Sequence, residues 1–233
     1  MIVPHASYFF SGAIASSVYS EIASRNVKTM VLLGPNHNGI GQDVAISDHD
    51  VWKSPLGTIN VDKTIVKKII NQSNEIKIDN LAHEYEHSLE VQIPFIQYIY
   101  DNAVSIVPIL MKKQDKTTAK TVGKILFDVL KKNKDILFLA SSDFSHYEKI
   151  EDVHRKDIAL IQSIKKLDID EFYEKIQKLK ISLCGYGCIG AIMVIAKCIG
   201  ANNVDLLRYG TSGDLEQSDK MSVVGYSTII FTL

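Results

Sequence analysis

The sequence predicts an α/β domain with a central, largely parallel sheet that helices cover on both faces. Apolar strands alternate with amphipathic helices along the chain, and most of the strands are continuously apolar, as in sheets buried on both sides. The last two predicted strands are close together in sequence, so we also expect an antiparallel edge. The chain has 233 residues, which is within the size of one α/β domain, so we predict a single domain over 1–233.

The first half of the chain is predicted to contain four strands and three helices. Ile14, Val18 and Ile22 recur at helical spacing and form one apolar face. Asp62 precedes an amphipathic run and can cap it, whereas Pro94 must kink or restart the last helix of this half. The predicted elements are a strand at 2–4, a helix at 11–24, a strand at 28–33, two short strands at 44–47 and 57–61 that we expect to form a hairpin around 52–55, and helices at 62–72 and 84–100.

The second half is predicted to contain four strands and four helices. Asp115 can cap a helix whose apolar stripe includes Val122, Leu126 and Val129. The predicted elements are strands at 104–110, 135–140, 204–209 and 223–231, and helices at 115–132, 150–165, 170–179 and 187–200. Of the three cysteines, Cys188 and Cys198 are predicted to be core residues.

Composition argues against several classes of protein. Lysine and arginine number 26 against 27 acidic residues, so the basic excess typical of a nucleic-acid binder is missing. No apolar run is long enough for a membrane span, and no signal peptide is recognisable. The three cysteines lie in one segment, which is a poor disulfide framework. We therefore expect a cytoplasmic protein that binds neither nucleic acid nor membrane.

Three segments share an apolar strand, a tight polar turn and a histidine. They are IVPH (2–5), VLLGPNH (31–37) and LFLASSDFSH (137–146). Ligands of open α/β sheets bind outside the carboxyl ends of the strands, and parallel strands would bring these histidines to the same edge. A histidine at a strand end is usually structural, but three at equivalent positions make coincidence less plausible. A fourth segment, LCGYG (183–187), places Cys184 in a glycine-rich turn before an apolar helix.

The segment HEYEH (83–87) matches a zinc-protease pattern in both directions. On a helix, His83 and His87 would share a face. Such short patterns arise by chance in charged segments, and His83 is predicted near a helix start. A zinc protease is therefore a minor alternative.

Five blocks of the sequence resemble one family. VPHASYFFSG (3–12) is similar to the opening motif of the Memo family, and GPNH (34–37) resembles its second motif. EHSLEVQIPF (86–95), SSDFSHY (141–147) and LCG (183–185) resemble three later blocks in the same order. Two of these blocks are long and specific, and the chain is identified as a member on that basis.

The resemblance implies a three-layer α/β/α domain with a mostly parallel mixed sheet, extradiol-dioxygenase (LigB)-like, with a pocket for a non-haem metal. It implies His5, His37 and Cys184 as the metal ligands. Asp143 and His146 would line the same pocket as the catalytic pair, with His146 donating or accepting protons. His87 is a weaker candidate for the pocket wall. The metal is expected to be iron or copper, with zinc also compatible.

Two departures bear on these expectations. The related dioxygenases use two histidines and a carboxylate, whereas the third position here is Cys184, whose thiolate is softer. Ser7 stands where the family's first motif has glycine. Relatives carry a further segment before that motif, so a shortened or misassigned start is expected.

Three hypotheses of function remain open at this stage. The first is a metal-dependent oxidoreductase of unknown substrate, in which Asp143 accepts a hydrogen bond from the second N–H of a ligand histidine or pairs with His146. The second is a non-catalytic module that binds a metal, a small molecule or a peptide; the family also implies a pathway link to radical-SAM and AMMECR1-type proteins. The third makes Cys184 a nucleophile, with His146 as its base and Asp143 as the residue that orients His146.

Overall fold

The fold is built around a mixed sheet, as seen in a computed structural model that describes residues 1–101, 103–215 and 218–233. The strands are β1 (Ile2–Val3), β2 (Thr29–Pro35), β3 (Val44–Ile46), β4 (Val51–Ser54), β5 (Gly57–Asn60), β6 (Lys77–Ile78), β7 (Ser105–Met111), β8 (Ile136–Ser141), β9 (His146–Glu148), β10 (Asn203–Thr211) and β11 (Val223–Thr232). The helices are α1 (Tyr8–Ile22), α2 (Lys63–Gln72), α3 (Ile93–Tyr100), α4 (Lys116–Leu130), α5 (Ile150–Lys165), α6 (Ile169–Leu179) and α7 (Tyr186–Ile199).

The main sheet has the strand order β10-β11-β1-β8-β2-β7-β3-β6, and β9 pairs with β11. Its four central strands, β1, β8, β2 and β7, run parallel to one another. Antiparallel pairs flank them, because β11 runs against β1 and β10, and β3 runs against β7. The predicted mostly parallel mixed sheet with an antiparallel edge is therefore confirmed.

Helices form the two outer layers. On one side α4 packs along α7, with α2 and α6 beside them, and α7 contacts β8 and β2. The other layer contains α1 and α3, which contact each other, and α1 packs on β10 and β11. Asp62 and Asp115 cap their helices as predicted, by accepting backbone N–H groups of the first turns, and Asp168 caps α6 in the same way. Within the described residues, no helix combines the length and apolar character that crossing a bilayer requires.

Two predicted elements are wrong. The segment 44–47 does not form the hairpin, because β3 joins the main sheet beside β7, and the hairpin consists of β4 and β5 instead. The segment 84–100 is helical only from Ile93, after short 3-10 turns at Leu81–His83 and Glu90–Gln92. Pro94 lies in the first turn of α3, where its missing N–H costs nothing, so it starts the helix and does not kink it.

The parallel strands bring the predicted motifs to one edge of the sheet. Val3 at the end of β1 lies opposite Ser141 at the end of β8, and Leu33 of β2 lies opposite Ala140. The residues that follow these three strands therefore leave the sheet side by side.

Candidate metal centre

Three histidines from three segments converge at this edge of the sheet. One ring nitrogen of each of His5, His37 and His87 lies within 4.8 Å of the others, so the group could hold a metal ion. The ring centroids of His37 and His87 are stacked at 4.9 Å, and His5 meets both rings edge-on at 5.2 and 5.6 Å. His5 is buried, whereas the other two rings reach solvent.

The hydrogen bonds of Ser141 fix the tautomer of His5. The hydroxyl proton of Ser141 is donated to the Ser88 carbonyl at 2.6 Å. Since a hydroxyl has one proton, its contact with His5 Nδ1 at 3.0 Å requires that the ring nitrogen donate. The lone pair of His5 is therefore at Nε2, which is the nitrogen available to a metal.

A buried carboxylate orients the other two rings. Glu86 Oε1 accepts from His37 Nδ1 at 2.9 Å and from the Ser88 amide at 2.9 Å, and it lies 3.4 Å from His87 Nδ1. Glu86 Oε2 accepts from the His37 amide at 2.5 Å. A carboxylate only accepts, so Nδ1 of His37 carries the proton and Nε2 is free. Such carboxylate–histidine contacts are typical of metal sites.

The protonation states favour cation binding. Burial alone would raise the pKa of Glu86, but hydrogen bonds from His37 and Ser88 lower it to about 2, so the group is ionised. Burial lowers the pKa of His5 to about 4, with an opposing contribution from Asp143. A neutral His5 at physiological pH presents a lone pair without first losing a proton.

We expect the His5 ring of the metal-free protein to titrate with a pKa of about 4. Its desolvated ring resists protonation, whereas an unperturbed histidine titrates near pH ~6.5. The ring carbon–proton NMR signals followed against pH, with His5→Ala for assignment, measure this value. A midpoint at or above the unperturbed value would contradict the burial effect.

Cys184 lies beside this group. Its Sγ is 3.4 Å from His5 Nε2 and accepts the Asp143 amide N–H at 3.3 Å. Burial raises the pKa of the thiol, and the Asp143 carboxylate raises it further. The ring within contact of Cys184 is therefore His5 and not His146, which contradicts the predicted cysteine–His146 pair. The raised pKa also argues against a free thiolate nucleophile.

Asp143 and His146 line the same cavity, but their contacts differ from those expected. Asp143 Oδ1 accepts the backbone amides of His5 at 2.8 Å and Ala6 at 3.2 Å, so it holds the end of β1 and not a histidine ring. His146 Nδ1 contacts the Ser182 carbonyl at 2.7 Å. A carbonyl only accepts, so His146 Nδ1 donates and Nε2 is left as the acceptor.

The histidines open onto a cavity of about 860 Å³. This volume is sufficient for a small organic ligand. Its aromatic wall is formed by Phe10, Tyr147 and Tyr226, and the remaining lining is largely hydroxyl groups and the residues already described. Tyr147 is 76% exposed and has a φ of 58°, which is unusual for a residue other than glycine.

The zinc-protease pattern does not form a site. His83 belongs to the 3-10 turn Leu81–His83 and packs edge-on against Trp52 at 5.6 Å, whereas His87 lies in the histidine group. The two residues therefore do not share a helix face. Of the other cysteines, Cys188 is buried as predicted, but Cys198 is exposed because it lies in the last turn of α7.

Sequence reasoning placed His5, His37 and Cys184 together, and the structure brings all three to this edge. It missed Glu86 and underrated His87, which completes the histidine group. The signal was present in the EHSLEVQIPF block, where the two residues are adjacent. Because this block contains no strand end, its position could not be inferred from the sheet alone.

Three kinds of comparison with known proteins, by family model, by sequence and by structure, agree. A family model described as Memo-like protein matches residues 1–230. The chain is 41% identical to a MEMO1 family protein of Nitrosopumilus maritimus over 99% of this chain and 83% of that protein. It is 42% identical to a MEMO1 family protein of Methanococcoides burtonii over 98% and 84%. The crystal structure of uncharacterized protein JW3007 from Escherichia coli K12 has a similar fold, with a TM-score of 0.60 at 9% identity over 91% of both chains.

Proposed function

This chain belongs to the Memo-like protein family, and from that premise we propose that it is a metal-dependent oxidoreductase acting on a small ligand. In this proposal His5, His37 and His87 bind one metal ion, and the ligand occupies the adjoining cavity. Cys184 contributes a fourth donor.

One observation carries the proposal. Nδ1 of His5 donates to Ser141, and Glu86 accepts from Nδ1 of His37 and lies close to that of His87. This leaves Nε2 of His5 and of His37 free, and one ring nitrogen of each of the three histidines lies within 4.8 Å of the others. Orienting a ring by hydrogen-bonding its far nitrogen is the usual support of a metal-ligating histidine, and here it recurs around one point.

The donor set suits a transition metal. Imidazole nitrogens bind iron, copper and zinc, whereas a cysteine sulfur adds preference for softer ions such as copper(I). The raised pKa of Cys184 applies without a cation; a bound metal favours the thiolate. We therefore propose iron or copper as the metal, with zinc as a weaker competitor. When bound, such a metal supplies an electron-transfer partner and open positions for a ligand.

The chain's own residues supply the rest of the site. Asp143 fixes His5 by accepting its backbone amide, so it sets the distance between the end of β1 and the cavity wall. His146 presents Nε2 as a proton acceptor, because its Nδ1 is engaged by Ser182. Tyr226 forms the buried part of the aromatic cavity wall, and Phe10 forms an exposed part of it.

Metal content is the direct test. We expect the anaerobically purified protein, reconstituted with iron(II), copper(I) or zinc(II), to retain stoichiometric metal by mass spectrometry. Each of His5→Ala, His37→Ala and His87→Ala should lose it, since a site with two imidazoles left binds orders of magnitude more weakly.

His49→Ala is the matched control, because His49 is exposed and does not line this cavity. Cys184→Ser separates the two donor sets: it should remove a sulfur-to-metal charge-transfer band while the metal stays bound through the three histidines. A wild-type protein without metal after reconstitution, or metal retained in all three histidine variants, contradicts the proposal.

A second function, ligand binding without turnover, is favoured by the mouth of the cavity. Phe10 and Tyr147 are both exposed there, and aromatic side chains at a cavity mouth are typical of recognition surfaces. Oxygen consumption by the iron-loaded protein across a panel of catechols and thiols distinguishes the two functions. Turnover supports the oxidoreductase, and metal binding with no turnover supports the binding module.

A further inference from the structure

A buried carboxylate lies behind the cavity wall. Asp157, in α5, is fully buried. Its Oδ1 accepts the Ser145 amide at 3.1 Å and the Ser145 hydroxyl at 2.6 Å, and its Oδ2 accepts the Tyr209 hydroxyl at 3.1 Å. The carboxylate thus ties α5 to both the loop after β8 and the strand β10.

A buried carboxylate at this position would be unfavourable if Asp157 served only to fill space in the core. The groups that bind the carboxylate are an amide and two hydroxyls rather than a lysine or arginine, and burial raises the pKa of Asp157 to about 6. Removing a charge from water without a counterion is unfavourable, and an apolar residue would fill the same space more stably. A buried carboxylate of this kind points to a requirement for its hydrogen bonds.

The neighbouring strand is shaped to admit Asp157. Along β11, Val224 and Tyr226 line the cavity, so Gly225 between them faces the opposite side. A Cβ at Gly225 would lie 1.9 Å from Asp157 Oδ2. The Phe144 amide donates to the Gly225 carbonyl at 2.8 Å, and the Gly225 amide donates to the Ser145 carbonyl at 2.9 Å. Only glycine lets the strand approach both the loop and the carboxylate.

The loop held in this way carries two residues of the site. Ser145 lies between Asp143, which binds the amides of His5 and Ala6, and His146, whose ring and amide both contact Ser182. A displacement of Ser145 would therefore reach both sides of the cavity.

We propose that Asp157 is a positioning residue that fixes Asp143 and His146 in the cavity wall through Ser145. Its importance for turnover rests on the proposed function, but its effect on the loop can be measured without any reaction. Asp157 does not line the cavity itself, so its effect on Asp143 and His146 must pass through the residues that it contacts, of which Ser145 is the one in their loop.

Asp157→Asn tests the proposal, because asparagine keeps the volume but replaces one acceptor oxygen with a donor. The readout is the His146 ring NMR signal, assigned with His146→Ala. We expect the chemical shift of this signal to change, because the ring's surroundings change.

Val122→Ala is the control for stability, since Val122 is buried in α4 and takes no part in the hydrogen bonds of Asp157. It should lower Tm while leaving the His146 signal in place. Ser145→Ala, which removes only the 2.6 Å hydroxyl bond, should move the signal in the same direction as Asp157→Asn, and by less. Ser145→Ala takes the place of Asp157→Asn as the test variant if Asp157→Asn does not fold. An unmoved His146 signal in both Asp157→Asn and Ser145→Ala, or in Ser145→Ala if Asp157→Asn does not fold, overturns the role of Asp157.

Metal content measured on the same samples separates this inference from the proposed function. A protein that binds metal but shows no movement of His146 refutes the role of Asp157 alone. A protein in which His146 moves but no metal binds refutes the metal centre alone.

Discussion

Replacing Glu86 with glutamine is expected to weaken metal binding by about 10- to 100-fold, the usual loss for a carboxylate that orients ligand histidines. The variant keeps the volume but puts an amide NH₂ among groups that donate, namely His37 Nδ1 and the amides of His37 and Ser88. At least one of these buried donors must lose its acceptor. We expect a further cost of about 1–3 kcal/mol in the free energy of unfolding.

Competition titration with a chromophoric chelator measures the affinity, and denaturant unfolding measures the stability. Glu90→Gln is the matched control, because Glu90 lies in the same block but is exposed. It should change neither quantity. Equal metal affinity in Glu86→Gln and Glu90→Gln would show that the carboxylate does not orient the ligand rings.

Replacing Gly185 with alanine is expected to destabilise the fold by about 2–3 kcal/mol, as overpacking does in a close-packed interior. A Cβ at Gly185 would lie 2.7 Å from the Ser141 carbonyl oxygen and 2.7 Å from Ser142 Cβ. Neither is the flexible end of a long side chain, so the turn itself must move. Cys184 precedes Gly185 in this turn, so it should move as well. Gln114 binds the Cys184 carbonyl and the Gly187 amide, and these hydrogen bonds link the two ends of the turn.

The same variant therefore has a second readout. Displacement of Cys184 should weaken or remove the sulfur-to-metal band while the three histidines still bind the cation. Gly12→Ala is the matched control, because its Cβ would meet its nearest neighbour at an ordinary 3.4 Å inside α1. It should leave stability unchanged or raise it by up to about 1 kcal/mol. A Gly185→Ala protein as stable as Gly12→Ala would contradict the close contact.

The sequence predicted the parallel core of the fold and the meeting of its motifs, because both follow from general rules. Continuous apolar strands are buried on both faces, and the residues after parallel strands share an edge. The rules therefore brought the histidines that follow β1, β2 and β8, namely His5, His37 and His146, to one cavity.

The sequence could not place the residues that long-range contacts alone position. Glu86 acts on His37 across an irregular segment with no periodicity, and the role of Ser141 depends on where its single proton goes. Asp143 was expected to accept a hydrogen bond from a histidine ring or to pair with His146, but it accepts the backbone amides of His5 and Ala6. Which of these groups it meets depends on the exact path of the chain after β1. The first strand of the hairpin was predicted wrongly. Residues 44–47 are as apolar as a core strand, and they form a strand of the main sheet, whereas the hairpin consists of β4 and β5.

The position of β1 has a consequence for synthesis of the chain. This strand lies between β8 and β11, so it pairs only with strands that are translated long after it. His5 emerges from the ribosome long before Cys184, and β1 lacks one neighbour until β11 has been translated. Metal loading should accordingly be post-translational, and nascent chains stalled before β11 should bind metal poorly even though all three histidines have already been made.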